Sequence, residues 1–300
     1  MMRPGFRHAL ALVILLLLAV GLAMAQWRSR SSYEMYEGIR TAREIPSDEG
    51  EAPQWTNDFE FAKDVFTFAR IRYHAQPGSY GRSRGPGMWH IDCPDSDLNF
   101  SFRLQQLTAI RADPDGRIIE LTDPELFDYP WIYIVEPGLL QFAEEELPIL
   151  KRYLLNGGFL MVDDFWGDAE WRNFYTEIKR VFPDRELEEL EMSHPIFHCV
   201  FPIKLDKQQM QIPNYMDGER SQYNGGITWE SEWQHGPGTH DVHFKAIFDD
   251  KRRMMVFIAH NTDNGDGWER EGEYKYFFSE FSEKKAYPLG INVVFYAMTH

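Results

Sequence analysis

Basic side chains are scarce in this chain: 31 Lys and Arg stand against 47 Asp and Glu, a formal net charge of −16 at pH 7. A surface that acidic repels phosphate backbones and anionic headgroups, which excludes nucleic acid as a partner. Cysteine is scarcer still, with two residues among 300. Cys93 and Cys199 allow one disulfide at most, so the chain is not a disulfide-built scaffold. Neither sits in a Gly-flanked turn between a strand and a helix, where a cysteine nucleophile belongs. The fingerprints G-x-G-x-x-G, G-x-x-x-x-G-K-[ST] and H-E-x-x-H are missing, and with them the commonest dinucleotide, nucleotide and zinc-protease readings. There are no internal repeats and no low-complexity tracts.

What is present is apolar. Hydrophobic residues make up 43% and aromatic residues 15% of the chain, which suits a folded domain with a sizeable core. The single long apolar run, Ala9 to Ala25, follows Arg3, Arg7 and His8 and ends in Ala23-Met24-Ala25. A charged start, an apolar middle and a small-x-small end describe a signal peptide over residues 1–25. The run is also near the short limit of a membrane span, so a retained N-terminal membrane anchor is the alternative. Both readings place the rest of the chain outside the cytoplasmic membrane, periplasmic or otherwise extracytoplasmic. Residues 26–57 are polar around Pro46 and Pro53 and read as a linker. Residues 58–300 read as a single α/β domain.

Within that domain strands and helices alternate. Apolar runs at 65–71, 118–121, 131–135, 159–162 and 254–259 read as strands, the later ones buried on both faces. Phe100, Leu104, Leu107 and Ile110 share a helix face, with Asp97 placed as its cap. Further helices are expected at 142–155, stopped by Asn156-Gly157-Gly158, at 168–181 with Asp168 as cap, and at 287–298 behind Pro288. Buried strands spaced by helices imply a mostly parallel, doubly wound sheet with helices on both faces. A Gly-rich loop at 74–94 and an aromatic, Gly-rich insertion at about 204–250 interrupt the alternation. Trp229 and Trp233 in the insertion fit either sugar stacking or partly buried packing.

Ligands of open α/β sheets bind beyond the carboxyl ends of the strands. The polar residues there are Arg72 after the first strand, Glu136 after 131–135, Asp163 and Asp164 after 159–162, and His260, Asn261, Asp263 and Asp266 after 254–259. Asp92 approaches from the loop before the first helix. Carboxylates brought this close would raise one another's pKa and serve as acid and base, or hold a cation. The 261–269 segment has oxygen ligands, but Gly265 takes a ligand position of the usual calcium loop.

Several stretches carry a resemblance. Phe66-Thr67-Phe68-Ala69-Arg70-Ile71-Arg72-Tyr73, Thr122-Asp123-Pro124-Glu125-Leu126-Phe127, Val162-Asp163-Asp164-Phe165-Trp166-Gly167 and Gly265-Asp266-Gly267-Trp268 resemble a bacterial family known as domain of unknown function 4159. His194-Pro195-Ile196-Phe197 and Tyr287-Pro288-Leu289-Gly290 fit it too. The resemblance implies a fold related to the class I glutamine amidotransferases, a flavodoxin-like sheet, and assigns no catalytic residues. No strand here ends in the Gly-flanked cysteine of those enzymes; one ends in Asp163-Asp164 instead.

The function expected is that of an exported cell-envelope protein, a binding domain whose acidic rim takes a small-molecule ligand or a protein partner through Glu136, Arg72, Asp92, Asn261, Asp263 and Asp266. The alternative is a carboxylate- or metal-dependent hydrolase of envelope glycan or peptide, with Asp163, Asp164 and His260 as catalytic residues. No cofactor is expected beyond a divalent cation that the strand-end acids could hold.

Overall fold

Three apolar segments with no polar face form the centre of the sheet. β4 (Trp131–Val135), β6 (Phe159–Asp163) and β9 (Met254–His260) are buried along their whole length. Such β-branched and aromatic runs belong in a sheet covered on both sides. The computed structural model describes residues 36, 38–47, 52–58, 64–75 and 87–300. All of these but 36 and 38 fall in one compact unit. The expected signal peptide or anchor, and most of the Gly-rich loop, lie outside the described residues. Among the described residues no helix is long and apolar enough to cross a membrane.

β1 (Ala69–Ile71) and β3 (Arg117–Ile119) complete a parallel array. Antiparallel β8 (His243–Phe248) and then β7 (Glu188–Glu189) extend it beyond β9. The order across the seven strands is β3-β1-β4-β6-β9-β8-β7. Taken in chain order, the five parallel strands run 2-1-3-4-5, the order of flavodoxin-like sheets. β2 (His74–Ala75) and β5 (Leu140–Gln141) form a separate antiparallel ribbon. The fold class is α/β with a mostly parallel sheet, as the alternation of elements implies.

The helices fall into two packed sets. α1 (Asp95–Leu107), α6 (Asn264–Glu269) and α8 (Tyr287–Thr299) contact one another, and so do α2 (Glu146–Leu155) and α3 (Gly167–Val181). α4 (Tyr215–Ser221), α5 (Glu232–His235) and α7 (Lys275–Phe277) are short. A nine-residue π-helical stretch, Phe278–Ala286, runs from α7 directly into α8. An aromatic cluster joins β4 to the first set. The Trp131 ring stacks 5.9 Å from Tyr133, and Trp268 of α6 lies 5.8 Å from Tyr133 and 4.6 Å from Phe100.

Four local expectations need correction. The first helix starts at Asp95, so Asp97 lies inside it and is no cap; its carboxylate instead pairs with buried Arg70 of β1. Asp168 is not the cap of α3, because that place belongs to Trp166, whose backbone N–H donates to Glu170 Oε2 at 2.7 Å. The insertion does not reach residue 250, since β8 pairs with β9 from His243 opposite His260 to Phe248 opposite Met254. The turn of that hairpin contains no glycine; Arg252 takes the left-handed φ of 64° instead, which hides the usual turn signal. Within the expected linker, the segments around Arg40 and Trp55 are bound to the sheet edge. Ile118 N–H donates to Arg40 O at 2.9 Å, and the Trp55 indole donates to Ala112 O at 2.9 Å. Cys93 and Cys199 are both free.

Candidate functional site

The strand order reverses between β1 and β4, and the carboxyl ends of the strands beside that point carry the acids. Pairing of β4 with β6 sets Val135 opposite Asp163, and Glu136 N–H donates to Asp163 O at 3.1 Å. Glu136 and Asp164 therefore leave the sheet side by side. Asp92 comes from the turn into α1, where its carbonyl accepts the Ser96 N–H at 2.9 Å. Asp263 ends the turn after β9 and caps α6, its Oδ1 accepting the Asp266 N–H at 2.7 Å. Asp92, Glu136, Asp164 and Asn261 all have left-handed φ values, between 50° and 61°. Non-glycine residues held there cost of order 1–3 kcal/mol each and cluster at functional sites.

Burial sets the electrostatics of these acids. Asp92, Asp164 and Asp263 can each offer one oxygen such that all three lie within 4.8 Å of one another. Asp164 is 6% and Asp263 3% exposed, while Asp92 is half-buried with its Oδ2 shut off from solvent and lacking any hydrogen-bond donor. Burial first, and then repulsion from neighbouring carboxylates, holds all three carboxyls well above the usual range, although the Arg70 charge draws Asp92 partly back. Asp164 accepts, among the described residues, only the Trp166 indole N–H, at 3.1 Å. Among the described residues no Lys, Arg or His bonds to any of the three.

A second trio shares Asp92 with Asp266 and Glu269, again with oxygens within 4.8 Å. Burial, with Asp92 and Asp266 beside it, pushes Glu269 up to about 10, whereas Asp266 rises only to about 6 because Glu269 and the Tyr215 N–H donate to it. Arg270 Nε lies 2.7 Å from Glu269 Oε2. Gly265 is required between the two trios, since a Cβ there would collide with Asp92 Oδ2.

Asp163 differs from its neighbour. It is fully buried and accepts four hydrogen bonds, from the Tyr133 hydroxyl, the Asn264 and Gly265 backbone and the Asn264 side chain. Burial raises it to about 6 against those bonds. Its visible task is to fix the β9–α6 turn on β6. His260 is not brought to the acids. Its ring packs against Phe165 at 4.8 Å and Trp171 at 5.3 Å, and its Nε2 lies 3.2 Å from Gly167 O. Burial drives its pKa down to about 3, so it is neutral. Asn261 bonds three backbone groups, those of Gly167, Gly238 and Asp241. Arg72 donates to Ile39 O at 2.6 Å and stacks over Trp89. The structure thus joins Asp92, Asp164, Asp263 and Asp266, places Glu136 beside them, and leaves His260, Asn261 and Arg72 in packing or clamping roles.

Glu170 and Glu230 went unrecognised in the sequence, and Glu269 entered only as part of the oxygen-rich 261–269 segment. Glu269 sits three residues after Asp266, a helical spacing that could have drawn notice. Glu170 and Glu230 grip His235 from both sides, at 2.9 Å and 2.8 Å. Burial opposes charge on this histidine, but the two carboxylates win and raise it to about 10. Burial, with Glu170 and Glu230 close by, holds Glu136 well up. This clamp lays the insertion over the start of α3, where Asp168 N–H donates to Pro237 O at 2.8 Å. The loop segment Gly81-Arg82-Ser83-Arg84-Gly85, which has G-x-S-x-G spacing, lies outside the described residues.

A comparison with curated proteins finds no match to this chain. The family described as "Domain of unknown function (DUF4159)" matches residues 67–298, a span that holds every strand of the sheet and every acid of the rim. The chain is a member of that family.

Proposed function

We propose that the protein is an exported ligand-binding domain of the cell envelope and that its ligand site, the strand-end acids, takes a hard divalent cation. The observation that carries this reading is the trio Asp92, Asp164 and Asp263, three carboxylates packed together, two of them buried and the third half-buried, with no basic hydrogen-bond partner among the described residues. Buried charges are paired or coordinate metals. Two oxygens bound to one Ca²⁺ at about 2.4 Å each lie at most about 4.8 Å apart, and all-oxygen sets favour Ca²⁺, Mg²⁺ or Mn²⁺. Export rests on the Arg3, Arg7 and Ala9 to Ala25 pattern.

The strand order also supports a scaffold of the class I glutamine amidotransferase type, without its chemistry. Burial holds the Cys93 thiol well above its usual value, which leaves it a poor nucleophile. A hydrolase built on Asp163, Asp164 and His260 has less support, because His260 packs against Trp171 and Asp163 is tied down by four hydrogen bonds.

The test is a thermal melt of the chelator-treated protein recovered from the envelope fraction. Saturating Ca²⁺, Mg²⁺ or Mn²⁺ should raise Tm by about 5 °C or more. No shift with any of the three at about 10 mM would refute the cation site. Recovery of the chain in the cytosol with Met1 attached would refute export.

A further inference from the structure

A second feature is separate from the rim acids. α4, the turn after it and the segment leading into α7 enclose an open groove of about 520 Å³, lined chiefly by Glu219, Gln222, Tyr223, Glu273, Tyr274 and Tyr276. That volume lies within the range of small-ligand sites. Tyr223 is 87% exposed, a placement that packing does not explain. The other two rings are fixed. Tyr274 stacks on Tyr215 with centroids 4.8 Å apart, and Arg270 sits over the far ring, 4.3 Å from the Tyr215 centroid. The Tyr276 hydroxyl lies 3.5 Å from Ser221 Oγ.

The polar groups around these rings are also ordered. Gln222 Nε2 donates to Glu219 Oε2 at 3.1 Å, and Glu219 Oε1 accepts the Phe277 N–H at 2.8 Å. Aromatic faces next to amide and carboxylate groups match a sugar ring, which presents C–H faces and a belt of hydroxyls. Two carboxylates against the single Lys275 disfavour an anionic ligand. The lining comes from helices and turns and not from a strand edge of the kind that extended peptides extend. Trp233, 92% exposed on α5, adds another exposed ring to the insertion.

We propose that this groove binds a neutral oligosaccharide, with one sugar ring stacked on Tyr223. The inference is independent of the cation site.

Calorimetric titration of the full chain tests it, with chitotetraose and cellotetraose as probes and tetraalanine as the peptide control. One tetrasaccharide should bind with a Kd of about 1 mM or tighter. Tyr223→Ala should weaken that binding about tenfold, while Tyr223→Phe, which keeps the ring face, should retain it. Asp164→Asn should bind the sugar like the wild type, so a failed cation site would leave this result standing. No binding of either sugar at about 20 mM, an unaffected Tyr223→Ala, an equal loss in Tyr223→Phe, or tighter binding of the peptide would each overturn the proposal.

Discussion

Asp97 and Asp164 are two buried acids near the carboxyl edge of one sheet, held under opposite conditions. Asp97 faces Arg70, whose Nε and Nη2 both reach its carboxylate, the closer contact at 2.5 Å. The remaining guanidinium donors go to Trp89 O, Ile91 O and Ser96 Oγ, each at 2.9 Å, so all five are in use. Among the described residues Asp164 has a single indole N–H, while Glu136, Asp92 and Asp263 are among the carboxylates around it. The fold neutralises an acid internally where the acid is structural. At the rim no basic side chain among the described residues bonds to the trio, and the proposed cation would supply that charge. The Glu170–His235–Glu230 clamp is intermediate, with one cation shared by two acids.

The largest effect should follow from breaking the compensated pair. Asp97→Asn leaves the Arg70 guanidinium buried without a counter-charge, which should destabilise the fold by about 3–5 kcal/mol in urea unfolding. A loss below about 1 kcal/mol would show that Arg70 is satisfied without Asp97, and the contrast with the rim would collapse.

His235→Gln should be milder and should depend on pH. The histidine's folded pKa is raised from 6.5 to about 10, so its contribution is complete below pH 6.5 and is lost as pH rises through about 10. Glu170 and Glu230 face it directly, with Glu136 nearby. Wild type should therefore exceed the variant by about 2 kcal/mol at pH 6, and melting curves should converge towards pH 10. A gap that stays constant over that range would mean the clamp acts by shape and not by charge.

The sequence showed the sheet more clearly than the site, for physical reasons. β4, β6 and β9 are long apolar runs, and their order in the sheet follows from alternation with helices. β7 has two exposed residues, and β8 follows a loop and precedes a turn without glycine, so neither carries a strong local signal. The rule that ligands sit beyond strand ends led to Asp92, Asp164, Asp263 and Asp266. It could not say which way each side chain points. His260 ends β9 beside the acids in sequence, yet its ring lies between Phe165, Trp171 and His243. Asp163 and Asp164 are adjacent in sequence, and the left-handed φ of 56° at Asp164 sends the two into different surroundings. Glu170 and Glu230 are 60 residues apart in separate elements, and only the folded chain brings both to His235.

The smallest change in stability should be the most informative. Asp164 is pushed well up by burial, by Glu136 and by Asp92, so the surroundings favour its neutral form, which Asp164→Asn makes permanent. Its one hydrogen bond survives in Asp164→Asn, because the amide oxygen can still accept the Trp166 indole N–H. Arg172 does not oppose this, since its Nε donates to Asp168 O and not to Asp164. Asp164→Asn should therefore melt at or slightly above the wild-type temperature near pH 7 without added cation, and should lose most of the cation-induced rise. Asp163→Asn is the control. It replaces an acceptor of four hydrogen bonds and should lower stability by about 1–3 kcal/mol. If Asp164 instead acts as a structural cap, its neutralisation should cost about 0.5–2 kcal/mol and leave the cation response unchanged. That pair of results would remove Asp164 from the site and break the trio it forms with Asp92 and Asp263, the observation on which the cation reading rests.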